Sequence, residues 1–370
     1  PQAPAPALLA ELDRSESTRG VGPARYKKVI VLVMETMTAR NLERESKALA
    51  PETFVRSARA HVQDYVRYYP NNQDSRTGML DMLFSRLVPY EAYDDFGYTQ
   101  YEHLAGQPSL VDRMRELGYA TAFAVSQTTL EQVVGDLAWS ETLHLQAEDI
   151  ARAERKRQLC FTPDEYEQSC EDLVLLPAVL DFVSRNERAF VYQEFIWGHA
   201  AEYNEASGKS NAAYYSAYVD ALLGELSARG LRDDTLIALT SDHGFRDKGQ
   251  QADPEVYRVP LWFHATDLAA HSADGLFSHT DFGQLLLSRL TPQAPPPADH
   301  RLVMIVGPTG QGNLFVVESG GSHVLLRNRA GLDLSIAQEG QLLHPPSQLL
   351  GLFYAYRGRF AARVAEAVAR

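Results

Sequence analysis

From residue 27 to about residue 290, short unbroken apolar runs alternate with longer stretches whose apolar residues recur every three or four positions. KKVIVLVMET at 27–36 is apolar throughout its middle and stops at Glu35. Such a run marks a strand buried on both faces. AFVYQEFIWGH at 189–199 and TLIALTSDHGF at 235–245 have the same character, each with a polar exit. PSLVDRMRELGYATAFAVS at 108–126 reads as helix, glycine turn and strand. NAAYYSAYVDALLGELSARGL at 211–231 has helical spacing and a glycine near its end, and it leads straight into the strand that begins at Thr235. YRVPLWFHA at 257–265 adds a further strand. In NNQDSRTGMLDMLFSRLVP at 71–89, a polar entry precedes Met79, Leu80, Leu83 and Leu87, which are spaced for a helix. Strands alternating with helices predict an α/β/α sandwich around a mainly parallel sheet.

The pattern changes after the proline-rich break PQAPPPADH at 292–300. RLVMIVG, NLFVVES, SHVLLRN and LDLSIAQ follow, separated by glycine and asparagine turns, and predict a small antiparallel meander. RGRFAARVAEAVAR at 357–370 reads as a terminal helix. GPTGQGN at 307–313 lacks the Gly-Lys-Ser/Thr ending of a phosphate loop and precedes a strand, so it reads as a hairpin turn. The first 26 residues are rich in proline, alanine and polar residues and begin without methionine, which suggests a tether from a processed or trimmed product. The expected organisation is therefore a linker at 1–26, a main domain at 27–291 and a small β subdomain with a terminal helix at 292–370. No apolar run reaches membrane-spanning length.

Composition narrows the partners. With 370 residues, 45% of them hydrophobic, the chain can bury a substantial core. The balance of 35 basic and 48 acidic residues leaves a net charge of −13. That excludes nucleic acid as an expected partner, because a nucleic-acid surface demands a basic footprint. A small anionic substrate stays compatible, because a bound metal can supply local positive charge. The two cysteines, Cys160 and Cys170, close the short polar loop CFTPDEYEQSC. That spacing favours a disulfide, hence a periplasmic or extracellular location.

The candidate chemistry lies where strands end. In a parallel sheet, Glu35 after the first strand and Asp242–His243 after the 235–241 strand leave at the same edge, where such sheets bind ligands. Two carboxylates and an imidazole are a donor set for zinc or manganese, with magnesium or calcium as further candidates. Ser75 or Thr77 would stand at the start of the 71–89 helix. A hydroxyl there can be a simple cap. It can also be a nucleophile beside a helix terminus that favours anions. His199 and His279 sit at a strand end and a loop entry, while Glu194 lies within its strand.

These segments resemble the alkaline phosphatase superfamily in its sulfatase-like branch. The resemblance covers about Lys27 to Leu290 and rests most heavily on YVDALLGELSARGLRDDTLIALTSDHGF. The sulfatase signature Cys/Ser-x-Pro-x-Arg is absent, since Ser75 is followed by Arg-Thr-Gly-Met. A glutamate on the first strand with a threonine nearby is similar instead to the phosphoglycerol transferases of lipoteichoic acid synthesis and the lipid A phosphoethanolamine transferases. That resemblance implies that Glu35, Thr77, Asp242 and His243 bind one metal and that Thr77 is the nucleophile. It further implies a substrate-side role for His199, as proton donor or ligand, and for His279 a role on substrate or a second metal. Arg76, Arg246 and Lys248 are substrate-binding candidates by proximity alone.

The expected function is thus a metal-dependent phosphoester or phosphodiester hydrolase or phosphotransferase, working through a phospho-threonine. Its substrate would be a small phosphoester or a lipid head group, reached from a membrane tether outside this chain. The alternatives are a sulfuric ester hydrolase and a catalytically silent binding protein on the same fold.

Overall fold

The computed structural model describes residues 23–57, 62–88, 104, 107–128, 137–156, 158–161, 168–196, 207–244, 253–306, 314–329 and 333–368. Its main sheet has eight strands: β1 (Lys28–Met34), β2 (Val62–Tyr69), β3 (Ala120–Val125), β4 (Glu141–His144), β7 (Ala189–Glu194), β8 (Thr235–Ser241), β9 (Leu261–His264) and β10 (His271–Ser278). A separate hairpin is made by β5 (Cys160–Phe161) and β6 (Ser169–Cys170). The order across the main sheet is β10-β2-β9-β8-β1-β7-β3-β4. Pairing is parallel except where β9 runs against β2 and β8. β1 lies in the middle and every one of its residues is buried, as its unbroken apolar run requires. Each such Val, Leu or Ile contributes about 1.5–3 kcal/mol by leaving water.

The helices fall into two contacting groups. One group comprises α1 (Ala39–Ser46), α2 (Phe54–Ser57), α6 (Leu176–Arg185) and α7 (Asn211–Ala228). The other comprises α3 (Ser75–Phe84), α4 (Leu110–Glu116) and α8 (Phe282–Leu290). A further helix, α5 (Ala147–Arg155), packs on the β5–β6 hairpin. The C-terminal sheet is an antiparallel meander of β11 (Leu302–Val306), β12 (Leu314–Glu318), β13 (His323–Arg329) and β14 (Asp333–Glu339). α9 (Pro346–Val368) covers it through Leu349, Leu352, Phe353 and Tyr356.

The expected sandwich with an antiparallel appendage is therefore present. Three strands, β2, β4 and β10, carry no clear sequence signal. β4 and β10 are the outer strands of the sheet, and VQDYVRYY in β2 mixes polar with apolar residues because only part of the strand is buried. α9 also starts eleven residues before position 357, with a proline in its first turn where no backbone donor is needed.

The expected disulfide joins Cys160 to Cys170 across the β5–β6 pair, with an S–S distance of 2.03 Å. Backbone bonds from Cys170 N–H to the Ser126 carbonyl (3.1 Å) and from Thr128 N–H to the Gln168 carbonyl (3.0 Å) fix this hairpin to the chain leaving β3. Among the described residues, no helix is long and apolar enough to cross a membrane.

Candidate active site

Parallel register brings the chemistry to one edge. Val33 pairs with both Glu194 and Thr240, and Met34 pairs with Ser241. Glu35 and Asp242 therefore leave adjacent strands side by side. Ser241 stitches the two exits together: its hydroxyl donates to the Met34 carbonyl (2.7 Å) and accepts from Met37 N–H (2.9 Å). Asp242 N–H donates to the Met34 carbonyl (3.1 Å).

One ligand atom from each of Glu35, Asp242 and His243 lies within 4.8 Å of the others, and all three residues are buried. His243 Nε2 is 3.4 Å from Glu35 Oε1 and 3.4 Å from Asp242 Oδ2. Two metal–ligand bonds of about 2.1 Å meeting at a tetrahedral angle separate their ligand atoms by about this much. His243 Nδ1 lies 2.6 Å from the Gly244 carbonyl. A proton on Nδ1 makes that contact a hydrogen bond and turns the Nε2 lone pair toward the carboxylates. Asp242 Oδ1 accepts from the backbone N–H groups of Thr36 (3.0 Å) and His243 (2.7 Å), which leaves Oδ2 toward the cluster. Burial, then the nearby Glu35 charge, raise the Asp242 pKa; His243, Ser75 and the Thr36 N–H act against that rise. A divalent cation held by the three residues would keep both carboxylates ionised. The donor set and its spacing fit such an ion.

The hydroxyl that meets this cluster belongs to Ser75, whose Oγ donates to Glu35 Oε2 at 3.2 Å. Thr77, the expected nucleophile and fourth ligand, has its Oγ1 near Asp74, 3.4 Å from both the carbonyl oxygen and Oδ1. The reason is helix register. Asp74 is the N-cap of α3, its side chain accepting from Thr77 N–H at 3.2 Å. Ser75 is therefore the first helical residue and is released from capping. Residues two apart on a helix point about 200° apart, so Ser75 and Thr77 cannot both face the strand ends. The signal was available: aspartate caps as well as serine does, and Asp74 directly precedes Ser75.

Gly78 lets α3 come this close, since a Cβ there would lie 2.3 Å from the Asp242 carbonyl oxygen. His279 fills the space behind it. Its Nε2 lies 3.0 Å from the Ser241 carbonyl, and burial pushes its pKa down to about 3. A neutral imidazole donating to that carbonyl joins the α3 start to the β8 end, outside the three-residue cluster. Arg76 is half-buried in the same helical turn as Ser75, and Glu194 is buried at the same sheet edge. His199, Arg246 and Lys248 lie outside the described residues.

Comparison with known proteins agrees with this fold. The sequence model of the sulfatase family matches residues 27–291. A search of curated proteins finds no match. Among solved structures, the lipoteichoic acid synthase LtaP from Listeria monocytogenes is similar over 98% of each chain, with 13% identity and a TM-score of 0.68. A protein in the alkaline phosphatase superfamily from Vibrio parahaemolyticus matches with 15% identity and a TM-score of 0.63, over 96% of this chain and 95% of its own. The C-terminal periplasmic domain of EcEptC from Escherichia coli, solved in complex with Zn, has 11% identity and a TM-score of 0.53, over 81% of this chain and 97% of its own. At such identities the likeness is one of fold.

Proposed function

Since the chain belongs to the sulfatase family through its match over residues 27–291, we propose that it is a metal-dependent enzyme that hydrolyses or transfers a phosphoester, with Ser75 as nucleophile. The observation that carries this reading is the Ser75 hydroxyl bonded to Glu35 beside the Glu35–Asp242–His243 cluster. A divalent cation on those three residues, manganese or zinc by its donor set, supplies charge neutralisation and a lowered hydroxyl pKa. Ser75 Oγ, oriented by Glu35 Oε2 and losing its proton to solvent, attacks phosphorus in line with the leaving oxygen. The phosphoryl oxygens lie at the N-terminus of α3, where backbone N–H groups favour an anion. Arg76 in that same turn adds a positive charge. The P–O bond to the leaving group breaks, giving a phospho-serine, which water or an alcohol then resolves. The proposed proton donor to the leaving oxygen is His199, on the sequence alone, with Arg246 and Lys248 as further substrate contacts. The cluster at the strand ends and the hydroxyl beside it speak against a catalytically silent binding protein.

A small anionic phosphoester or lipid head group fits a site built from a cation and a helix terminus. The Cys160–Cys170 disulfide supports a compartment outside the cytoplasm. The test is a panel of aryl phosphate, phosphodiester, phosphonate and sulfate esters, assayed with added manganese or zinc. Turnover of phosphorus esters that chelation abolishes is the expected result. Products formed with glycerol competing against water distinguish transfer from hydrolysis. Family membership gives sulfate esters a place in the panel, although Ser75 lacks the proline two residues on. Cleavage of sulfate esters alone overturns the proposal.

A further inference from the structure

Thr36, directly after Glu35, has a backbone φ of 52°, in the left-handed region. For a β-branched residue that conformation is a rare and costly one, and glycine is the ordinary occupant. Only one other described non-glycine residue has a positive φ, Ser85, where α3 ends. Two contacts accompany the conformation at Thr36. Its N–H donates to Asp242 Oδ1 at 3.0 Å, and its hydroxyl donates to Glu35 Oε1 at 2.6 Å. One residue thus grips both carboxylates of the cluster, one through the backbone and one through the side chain. The next residue, Met37, gives its N–H to Ser241 Oγ at 2.9 Å, so the turn is also tied to the β8 exit. Glycine would reach the backbone contacts more easily and would lose the hydroxyl. A threonine here is explained by what the hydroxyl does to Glu35.

We propose that Thr36 is a positioning residue that holds Glu35 and Asp242 in ligating geometry through its hydroxyl and its left-handed N–H. This inference rests on the reading that Glu35, Asp242 and His243 bind a divalent cation. Glu35 sits at the end of a strand, and its side chain has rotatable bonds that would let it swing away from Asp242 to relieve like-charge repulsion. The Thr36 hydroxyl opposes that swing. The hydrogen bond also leaves Glu35 Oε2 to receive the Ser75 hydroxyl, so the same contact divides the two oxygens of Glu35 between separate tasks.

The test separates hydroxyl from backbone. Manganese binding to the metal-stripped protein is measured by titration calorimetry for the unsubstituted chain, Thr36→Val, Thr36→Ser and Thr36→Gly, together with metal-free melting temperatures. Thr36→Val keeps shape and strain without the hydroxyl, and its manganese affinity is expected to fall about tenfold or more, as for other groups that orient metal ligands. Thr36→Ser restores most of that loss. Thr36→Gly keeps the N–H and removes the strain, so it melts higher than Thr36→Val without recovering affinity. Where Thr36→Val does not fold, the contrast between Thr36→Ser and Thr36→Gly carries the same information. Equal manganese affinity across hydroxyl-bearing and hydroxyl-free variants overturns the role of Thr36 and leaves the metal site standing. An unsubstituted chain that binds neither manganese nor zinc overturns the metal site itself, and this inference with it.

Discussion

Gly78→Ala isolates the docking of α3 from the Glu35–Asp242–His243 cluster. The added Cβ would lie 2.3 Å from the Asp242 carbonyl oxygen, 3.3 Å from its carbon and 3.6 Å from His279 Nδ1. Carbon–oxygen contacts settle at about 3.3 Å or more, so the two elements must separate by about 1 Å. The strand end cannot yield: Asp242 is bonded through its own N–H to Met34, and its side chain accepts from Thr36 and His243. α3 therefore retreats, at the expense of the packing of Met79, Leu80, Met82 and Leu83, all buried in the core. Overpacking of this kind costs about 1–3 kcal/mol, reduced by the better helix propensity of alanine over glycine, about 0.5–1 kcal/mol. The Ser75 hydroxyl starts 3.2 Å from Glu35 Oε2, and a further ~1 Å breaks that bond. Misplacement on this scale lowers turnover about a hundredfold. Manganese affinity should stay within a small factor, because Glu35, Asp242 and His243 all belong to the β1 and β8 exits. The assay pairs single-turnover rates on an aryl phosphate with calorimetric titration of manganese. Unchanged turnover, or a loss of metal affinity as large as the loss of rate, refutes the argument that the glycine sets the distance from helix to cluster.

Ser75→Ala is expected to lower turnover more than about a thousandfold with manganese still bound, and Thr77→Ala to leave most activity; the reverse ranking in steady-state assays would return the nucleophile to Thr77. Stability should carry a signature of His279, whose pKa of about 3 in the folded protein lies below its ordinary value of 6.5. The unfolded chain binds the extra proton first as pH falls, so this contribution is complete above about pH 6.5 and declines toward pH 3. Urea unfolding of the metal-free protein should show the gap to His279→Gln narrowing by about 2 kcal/mol between pH 7 and pH 5; a constant gap means the imidazole is not held neutral. The Cys160–Cys170 link spans a separation of ten residues. Replacing both cysteines with serine should destabilise by about 2–3 kcal/mol in the chain-entropy model, read by the same unfolding curves.

The central strands were legible because burial on both faces favours apolar residues over most of their length. The apolar runs before Glu35, Glu194 and Asp242 follow from that constraint alone. The edge strands were not, since a half-exposed sequence such as HSADGLFS in β10 meets no single demand. Glu35, Asp242 and His243 could be placed together from strand polarity, without any contact being known. Ser75 and Thr77 could not be ranked by helical spacing, because a shift of two residues in the helix start reverses which hydroxyl faces the strands. The capping residue fixes that register: with Asp74 as the N-cap, the Ser75 hydroxyl reaches Glu35. His279, whose position beside a strand end suggests a role on substrate or a second metal, lies against the Ser241 carbonyl. That contact joins residues 38 positions apart in the chain, which local sequence does not encode.

The C-terminal meander bears on the same hydroxyl. The first turn of a helix is held by few of its own hydrogen bonds, so Ser75 needs support from outside α3. Asn71 and Gln73, just before the cap, are joined to the end of β11: Val306 N–H donates to the Asn71 carbonyl at 2.9 Å, and Gln73 N–H donates to the Val306 carbonyl at 3.2 Å. The Asn71 amide reaches the Met304 carbonyl at 3.1 Å, and its oxygen accepts from Thr280 N–H at 3.3 Å. Asn72 donates to Asp81 at 2.6 Å and to the Val88 carbonyl at 2.8 Å, tying the entry of the helix to its exit. On that exit, the Tyr356 hydroxyl of α9 donates to the Leu87 carbonyl at 2.5 Å. A buried contact of 2.7 Å between His300 and Asp281 anchors the approach to β11 beside α8. The small sheet and its helix therefore hold both ends of the segment that carries Ser75, while the large sheet holds Glu35, Asp242 and His243. The distance between hydroxyl and carboxylates is set by how α3 docks on the large sheet, with Gly78 and His279 at the point of contact.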